Sequence, residues 1–246
     1  MFLTKILNEE EGMEKKELIQ RSPVRILMDS IQGGLGPGEI GLIASPSGIG
    51  KTSVLVQIAL DKLLQDKKII HISFTRHTDY VLAWYESIFD EFTKKKNLSN
   101  EQEIKDGIVK NRVLMKFTQE GVSGEQILRS LKALIKDGNF GADAIIIDGY
   151  DFTATDESQI KKVKLFAAEM GVSIWYSCTV KGKEPYYDKQ NVPLLIKDYD
   201  DLFEVIIILD PKTDHISLSV SRNRGNHNPK SPALKLDPKT LLMLKE

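Results

Sequence analysis

The sequence predicts an α/β protein: a mostly parallel sheet flanked by helices, with a strand-rich extension of the sheet at the C-terminal end. Three observations predict it. Short apolar runs alternate with longer stretches of helical spacing from Glu39 to Ser177, which implies crossover connections and parallel strands. From Phe203 onward, apolar runs follow one another with only turn signals between them, as hairpin-joined strands do. No internal repeat or low-complexity segment divides the chain. Residues 1–24 read as an N-terminal helical arm and 25–246 as one domain.

Each element has its own local reason. Residues 4–20 are rich in Glu and Lys and read as a charged helix, either a solvated lead-in or an interface arm, broken at Ser22-Pro23. The Gly33–Gly38 cluster is a turn. Glu39 to Ala44 is a short apolar run, consistent with a buried strand, and Thr52 to Leu64 is apolar at helical spacing. Lys68 to Phe74 is a second strand, carrying β-branched Ile69, Ile70 and Ile72. Tyr80 to Lys95 is an aromatic-rich helix, and Asn97 to Asp106 a polar loop or short helix. Val113 to Phe117 is the third strand. Ser123 to Lys136 is a helix opened by a Ser-x-x-Gln capping box at Ser123 and Gln126. Ala142 to Asp148 is the fourth strand, and Asp156 to Met170 a helix closed by Gly171. Val172 to Ser177 is the fifth. After a Lys/Tyr/Pro-containing segment at 179–201, strands are expected at Val205–Leu209, Ile216–Val220 and Leu241–Leu244, with turns at Asp210-Pro211 and Asp237-Pro238.

Composition narrows the functional classes. The 34 Lys+Arg residues balance 35 Asp+Glu, for a formal net charge of −1, which excludes a basic nucleic-acid coat but not a local basic strip. The single cysteine, Cys178, cannot form an intrachain disulfide, and His71, His77, His215 and His227 lack zinc-ligand spacing. No run approaches the ~20 apolar residues of a membrane span, and the charged N-terminus lacks the apolar run of a secretory signal. The expectation is a cytoplasmic protein with no membrane partner.

One segment carries chemistry. Ser45-Pro46-Ser47-Gly48-Ile49-Gly50-Lys51-Thr52 lies between the first strand and the first long helix. Glycines let the backbone wrap a polyphosphate and aim N–H groups at its oxygens, and the helix adds its positive N-terminal end. In such a loop the lysine, Lys51, reaches the β/γ oxygens, and the Thr52 hydroxyl ligates magnesium. Ser45 stands where the usual pattern has its first glycine. The placement between strand and helix carries more weight than the Gly-Lys-Thr tripeptide. An acidic residue at a strand end completes such a site, and Asp148, closing Ala144-Ile145-Ile146-Ile147, fits. Mg²⁺ is thus expected between Thr52 and Asp148, partly through water.

Gly33-Gly34-Leu35, then Pro37-Gly38-Glu39-Ile40-Gly41-Leu42-Ile43-Ala44, then the loop, resemble the opening of RecA-type P-loop ATPase domains. The chain is similar in particular to KaiC-like proteins and DnaB-like hexameric helicases, from about Arg25 to Arg224. The Pro46-Ser47 pair resembles the helicase loop, and Gly48-Ile49-Gly50 the KaiC form. The resemblance implies a RecA-like core that binds ATP and Mg²⁺ through Ser47, Gly48, Ile49, Gly50, Lys51, Thr52 and Ser53. It also implies a homo-oligomer, a ring or filament with a hexamer as the family form. In Ser221-Arg222-Asn223-Arg224-Gly225 it places Arg222 and Arg224 where a basic pair reaches the neighbouring subunit's nucleotide. Alternate strand residues share a face, so both guanidiniums are expected exposed and pointing the same way.

The departures shape the functional expectation. Where the family has a catalytic glutamate after the second strand, this chain has Thr75, or Arg76 if the register slips by one. A threonine orients water but cannot take its proton at neutral pH. Asp79 and Asp151 are the alternative bases. Cys178 stands where the helicases carry a γ-phosphate-sensing Gln, and reads as a buried small residue. The segment 179–201 offers Lys181, Lys183, Lys189, Tyr186 and Tyr187 to single-stranded nucleic acid, but Glu184 and Asp188 offset its charge. The expected function is a nucleotide-dependent oligomeric regulator with slow or no hydrolysis; the alternative is a DnaB-like ATPase acting on single-stranded nucleic acid.

Overall fold

The computed structural model describes residues 14–74, 78–94, 98, 100–118, 122–182, 184–227 and 229–246. Helical residues 14–21 (α1) lead into α2 (Pro23–Ser30), then β1 (Ile40–Ser45), α3 (Lys51–Leu64), β2 (Ile69–Ser73), α4 (Thr78–Thr93), α5 (Glu101–Lys110), β3 (Arg112–Lys116), α6 (Gly124–Lys132), β4 (Ala144–Asp148), α7 (Glu157–Met170) and β5 (Ser173–Thr179). A 3₁₀ segment, Leu194–Leu202, precedes β6 (Val205–Pro211), β7 (Ile216–Asn223), β8 (Asn226–His227), β9 (Leu234–Leu236) and β10 (Met243–Lys245).

Among the described residues, ten strands form one sheet, ordered β10-β9-β7-β6-β1-β5-β4-β2-β3, with β8 paired to β7. The six strands from β3 to β6 are mutually parallel; β7, β8, β9 and β10 add antiparallel at the β6 edge. The protein is therefore α/β with a mostly parallel mixed sheet flanked by helices. The expected C-terminal extension is present.

Alternation along the strands sorts the core into two layers. Ile43, Ile146 and Ile207 meet α2, α3, α4 and α5 on one face. Their neighbours Leu42, Ile145 and Ile206 meet α6, α7 and the 3₁₀ segment on the other, as the two-residue period requires. β1 and β4 are buried along their whole length, which is why they read as continuous apolar runs. Helix α3 is buried on nearly all sides, because the sheet, α2, α4, α5 and the C-terminal strands enclose it. Gly41 has a packing reason: a Cβ there would lie 2.6 Å from the Trp175 ring and 2.8 Å from Leu35.

Several expectations need correcting. The break at Ser22-Pro23 is present and separates α1 from α2; the same pair also opens α2, since the Ser22 hydroxyl accepts from Val24 N–H at 3.3 Å and proline occupies the first helical turn, where its missing N–H costs nothing. The described part of the arm packs down through Leu18, buried in the core shared with α3, while Lys16, Glu17, Gln20 and Arg21 stay exposed. Of the two alternatives for the polar segment, residues 101–110 take the helix, because Ile104 and Ile108, one turn apart, are both buried. Helix α6 ends four residues early in a π-helical turn, Ala133–Asp137. The Asp210-Pro211 signal lies inside β6, and the chain reverses after it, where Lys212 N–H bonds to the His215 carbonyl at 2.8 Å. Strands β8 and β9 were not expected; two- and three-residue strands carry no periodicity. The capping box at Ser123 is formed, and Gly171 closes α7 in the left-handed region at φ 68°. Among the described residues, no helix is long and apolar enough to cross a membrane.

Gly41→Ala should destabilise the protein by about 1–3 kcal/mol, the range for overpacking a filled core. Chemical denaturation checks it; an unchanged midpoint would mean Trp175 yields freely.

Candidate functional site

The parallel sheet puts the ends of β1, β2, β4 and β5 along one edge, where open α/β sheets hold their ligands. The loop between β1 and α3 sits there. Gly48 and Gly50 adopt φ 80° and 105°, a region that L side chains rarely enter. Gly50 is the N-cap of α3 and no side chain caps the helix, so its first N–H groups are free for a ligand in the loop. Nothing lies within 4 Å of a Cβ built at Gly48.

Lys51 folds back beneath this loop. Its ammonium donates to the Ser45 carbonyl at 3.1 Å, the Ser45 hydroxyl at 3.1 Å and the Pro46 carbonyl at 2.8 Å. Burial pushes its pKa down to about 8, although Cys178 and Asp148 pull the other way. The Ser45 side chain, in place of the first glycine, supplies one of these contacts and also bonds to the Pro46 carbonyl at 2.9 Å.

Thr52 and Asp148 come together across β5, which separates β1 from β4. The Thr52 hydroxyl donates to Asp148 Oδ2 at 2.8 Å. Ser177, on β5, donates to Asp148 Oδ1 at 2.7 Å and accepts from Gly149 N–H at 2.7 Å. Asp148 is buried, yet both its oxygens are hydrogen-bonded. Ser177 was missed as a site residue. Its signal was there: a serine directly after the apolar run Ile174-Trp175-Tyr176, one register step from the aspartate.

The other site residues separate into groups. Ser47 is exposed at the loop crest and Ile49 packs on the core. Ser53 points away from the loop interior: its hydroxyl donates to the Leu241 carbonyl at 2.8 Å, and Gln57 Nε2 reaches the same carbonyl at 3.1 Å. Thr75 and Arg76 lie outside the described residues; Phe74, just before them, donates its N–H to the Asp148 carbonyl at 2.9 Å. Asp79 is exposed in the first turn of α4. Asp151 is held below the usual carboxylate range by Thr153 N–H and by Lys181, 2.9 Å away. Cys178 is buried, and burial pushes its thiol up to about 12. Among the described residues, no cluster of three His, Cys, Asp or Glu could hold a metal alone.

Arg222 and Arg224 lie at the opposite end of the sheet, because β7 runs back beside the start of β6. They do not share a strand face: Arg224 has left the strand and sits in a turn at φ 45°. Nor are they exposed surface arginines. Arg222 donates to Asp200 at 2.7 Å and is buried. Arg224 grips Glu39 through two bonds of 2.9 and 2.8 Å and donates to the Ile31 and Gly34 carbonyls at 2.9 and 2.7 Å. Burial alone would raise the Glu39 carboxyl, but the Arg224 bonds, the Gly36 N–H and the charges of Arg224 and Lys164 hold it below the usual range. The stability this pair contributes is present above the ordinary carboxylate pKa and lost as pH falls through the lowered value.

No protein-family model matches the chain, and no curated protein matches its sequence.

Lys51 should titrate near 8, apart from the exposed lysines, by NMR of ¹³C-methylated protein. Between that value and the ordinary lysine range the unfolded chain holds one more proton, so stability should rise with pH across that window. A Lys51 resonance titrating with the exposed lysines would overturn the desolvated geometry.

Proposed function

We propose that the protein binds ATP with Mg²⁺ in the loop after β1 and acts as a nucleotide-dependent oligomeric regulator of the RecA/KaiC-like kind, with slow or no intrinsic hydrolysis. The observation that carries this reading is the 2.8 Å bond between Thr52 and Asp148, 96 residues apart in sequence. A hydroxyl and a carboxylate meeting beside a glycine loop and a buried lysine fit the chemistry of a metal–polyphosphate site. Lys51 would exchange its carbonyl contacts for phosphate oxygens, Thr52 and Asp148 would hold the metal, and Ser177 would keep Asp148 oriented. Bound Mg²⁺ would neutralise charge on the phosphates.

Slow hydrolysis is supported by the state of the candidate bases. A carboxylate stabilised as Asp151 is makes a weak base, and Asp79 is exposed in the first turn of α4. Assembly is supported by placement. Arg224 lies level with the start of β1, about 17 Å from its own loop at strand rise, whereas Arg222 lies level with Leu42, about 10 Å from it. A nucleotide contact by Arg224 would therefore be to another copy, head to tail, closing a ring or extending a filament. The nucleic-acid reading has less behind it: Tyr186 and Tyr187 pack against the core, Lys181 is paired with Asp151, and Lys183 lies outside the described residues.

Lys51→Ala should weaken ATP·Mg²⁺ binding at least about tenfold, since hydrogen bonds to charged groups are worth ~1.5–3 kcal/mol. Asp148→Asn should remove most of the magnesium dependence. Calorimetric titration of each folded variant checks both, and parent-like affinity in Lys51→Ala would end the proposal. Phosphate release on the same samples tests hydrolysis; several turnovers per second would require another base.

Sedimentation with ATP, with ADP and without nucleotide tests assembly, which should be greatest with ATP. Arg224→Ala should also lower monomer stability, because it strands Glu39 and two carbonyls; Arg222→Gln loses the Asp200 ion pair but keeps a side-chain N–H donor, and is the milder probe of a trans role. A parent that stays monomeric in all three conditions would refute assembly.

A further inference from the structure

On the sheet face away from α3, the described residues line a partly open cavity of about 220 Å³. Ile72, Ile147 and Tyr176, on the adjacent strands β2, β4 and β5, form its floor. Leu131 of α6 and Ile160 and Val163 of α7 form its walls. Ion pairs tie the two helices together at separate places along their length: Lys162 to Glu125 at 2.7 Å, and Lys132 and Lys136 to Glu169 at 2.6 and 3.3 Å. Between these ties, α6 and α7 do not close over the strands.

The chemistry of the lining selects a class of occupant. The floor and walls are mainly apolar, with the Tyr176 hydroxyl as their one polar side-chain group, and a buried water needs two to four polar partners. The polar groups at the mouth are already engaged: Ser123 with Gln126 and Gln159 with Asp156 in capping boxes, and Lys162 with Glu125. That pair also cancels its own charge, leaving nothing to hold an ionic ligand. An apolar cavity of about 150 Å³ stays dry and takes up benzene; this one has room for a second fused ring. Phe74 and Tyr150 at one side, with ring centroids 5.5 Å apart and nearly perpendicular, offer an aromatic guest edge and face contacts.

We propose that this cavity is a binding site for an uncharged aromatic small molecule of about the size of indole. Its occupant lies against Ile147, the residue before Asp148, so binding is felt at the strand end that carries the carboxylate. The proposal does not depend on nucleotide binding.

Indole itself is the probe, titrated into the full-length protein carrying ¹³C-labelled isoleucine methyl groups. The expected result is saturable shifts at Ile72 and Ile147, with Ile43 and Ile88 on the other face unmoved, and a rise in melting temperature. Val163→Phe and Leu131→Phe, which fill the space from separate helices, should each weaken binding by at least about tenfold; either variant suffices if the other does not fold. No saturable shift up to the solubility of indole, shifts spread over both faces, or parent-like affinity in a folded filled variant would overturn the proposal. So would closure of the cavity by a second copy, seen as a dimer that indole does not dissociate.

Discussion

A parallel strand cannot be joined to its neighbour by a tight turn, and this requirement organises the molecule. Each crossover helix must lie on the sheet, and successive crossovers cover both faces. The central strands are thereby buried twice over, Leu42 on one side and Ile43 on the other. Burial on both sides leaves the strand ends as the places where polar chemistry can reach solvent. The glycine loop, Asp148 and Ser177 all occur at the same edge for that reason.

The two edges of the sheet handle charge differently. At the loop edge, the Lys51 ammonium is held by backbone carbonyls and a serine hydroxyl rather than by a direct carboxylate partner. That leaves a desolvated positive charge whose best partner is an anion brought from outside. At the other edge, charges are matched within the chain. Arg224 binds Glu39, and Glu204 receives the Ile40 N–H at 2.8 Å and the Lys164 ammonium. These contacts tie the start of β1 to the turn after β7. A trans role for Arg224 would therefore have to break or share a structural contact, whereas Lys51 would only exchange weak neutral acceptors for strong charged ones.

The C-terminal strands serve the loop as well as the sheet. Ser53 and Gln57 of α3 are held by the Leu241 carbonyl, and Gln57 accepts the Met243 N–H at 2.9 Å. Leu241 and Leu236 lie 3.4 and 3.7 Å from where a Gly50 Cβ would be. The last residues of the chain thus fix the helix whose first turn frames the loop. Nothing local in Ser53-Val54-Leu55 announces this, because the partner is 188 residues away.

The α/β class, the order of the long elements, the loop and the strand-end Asp148 were legible in the sequence, because each rests on a local signal: period, glycine placement, or an acid ending an apolar run. The pairing of Ser177 with Asp148, the engagement of Arg222 and Arg224 within the chain, and the docking of Leu241 on α3 were not. Those depend on which strands lie side by side and on where the chain reverses. Strand order is chosen by the packing of whole helices over both faces of the sheet, a sum over distant residues that no short window contains. The sequence by itself determined the elements and the chemical groups at their ends; the tertiary structure alone decided which of those groups meet, because only side-by-side strands bring residues a hundred positions apart within a hydrogen bond.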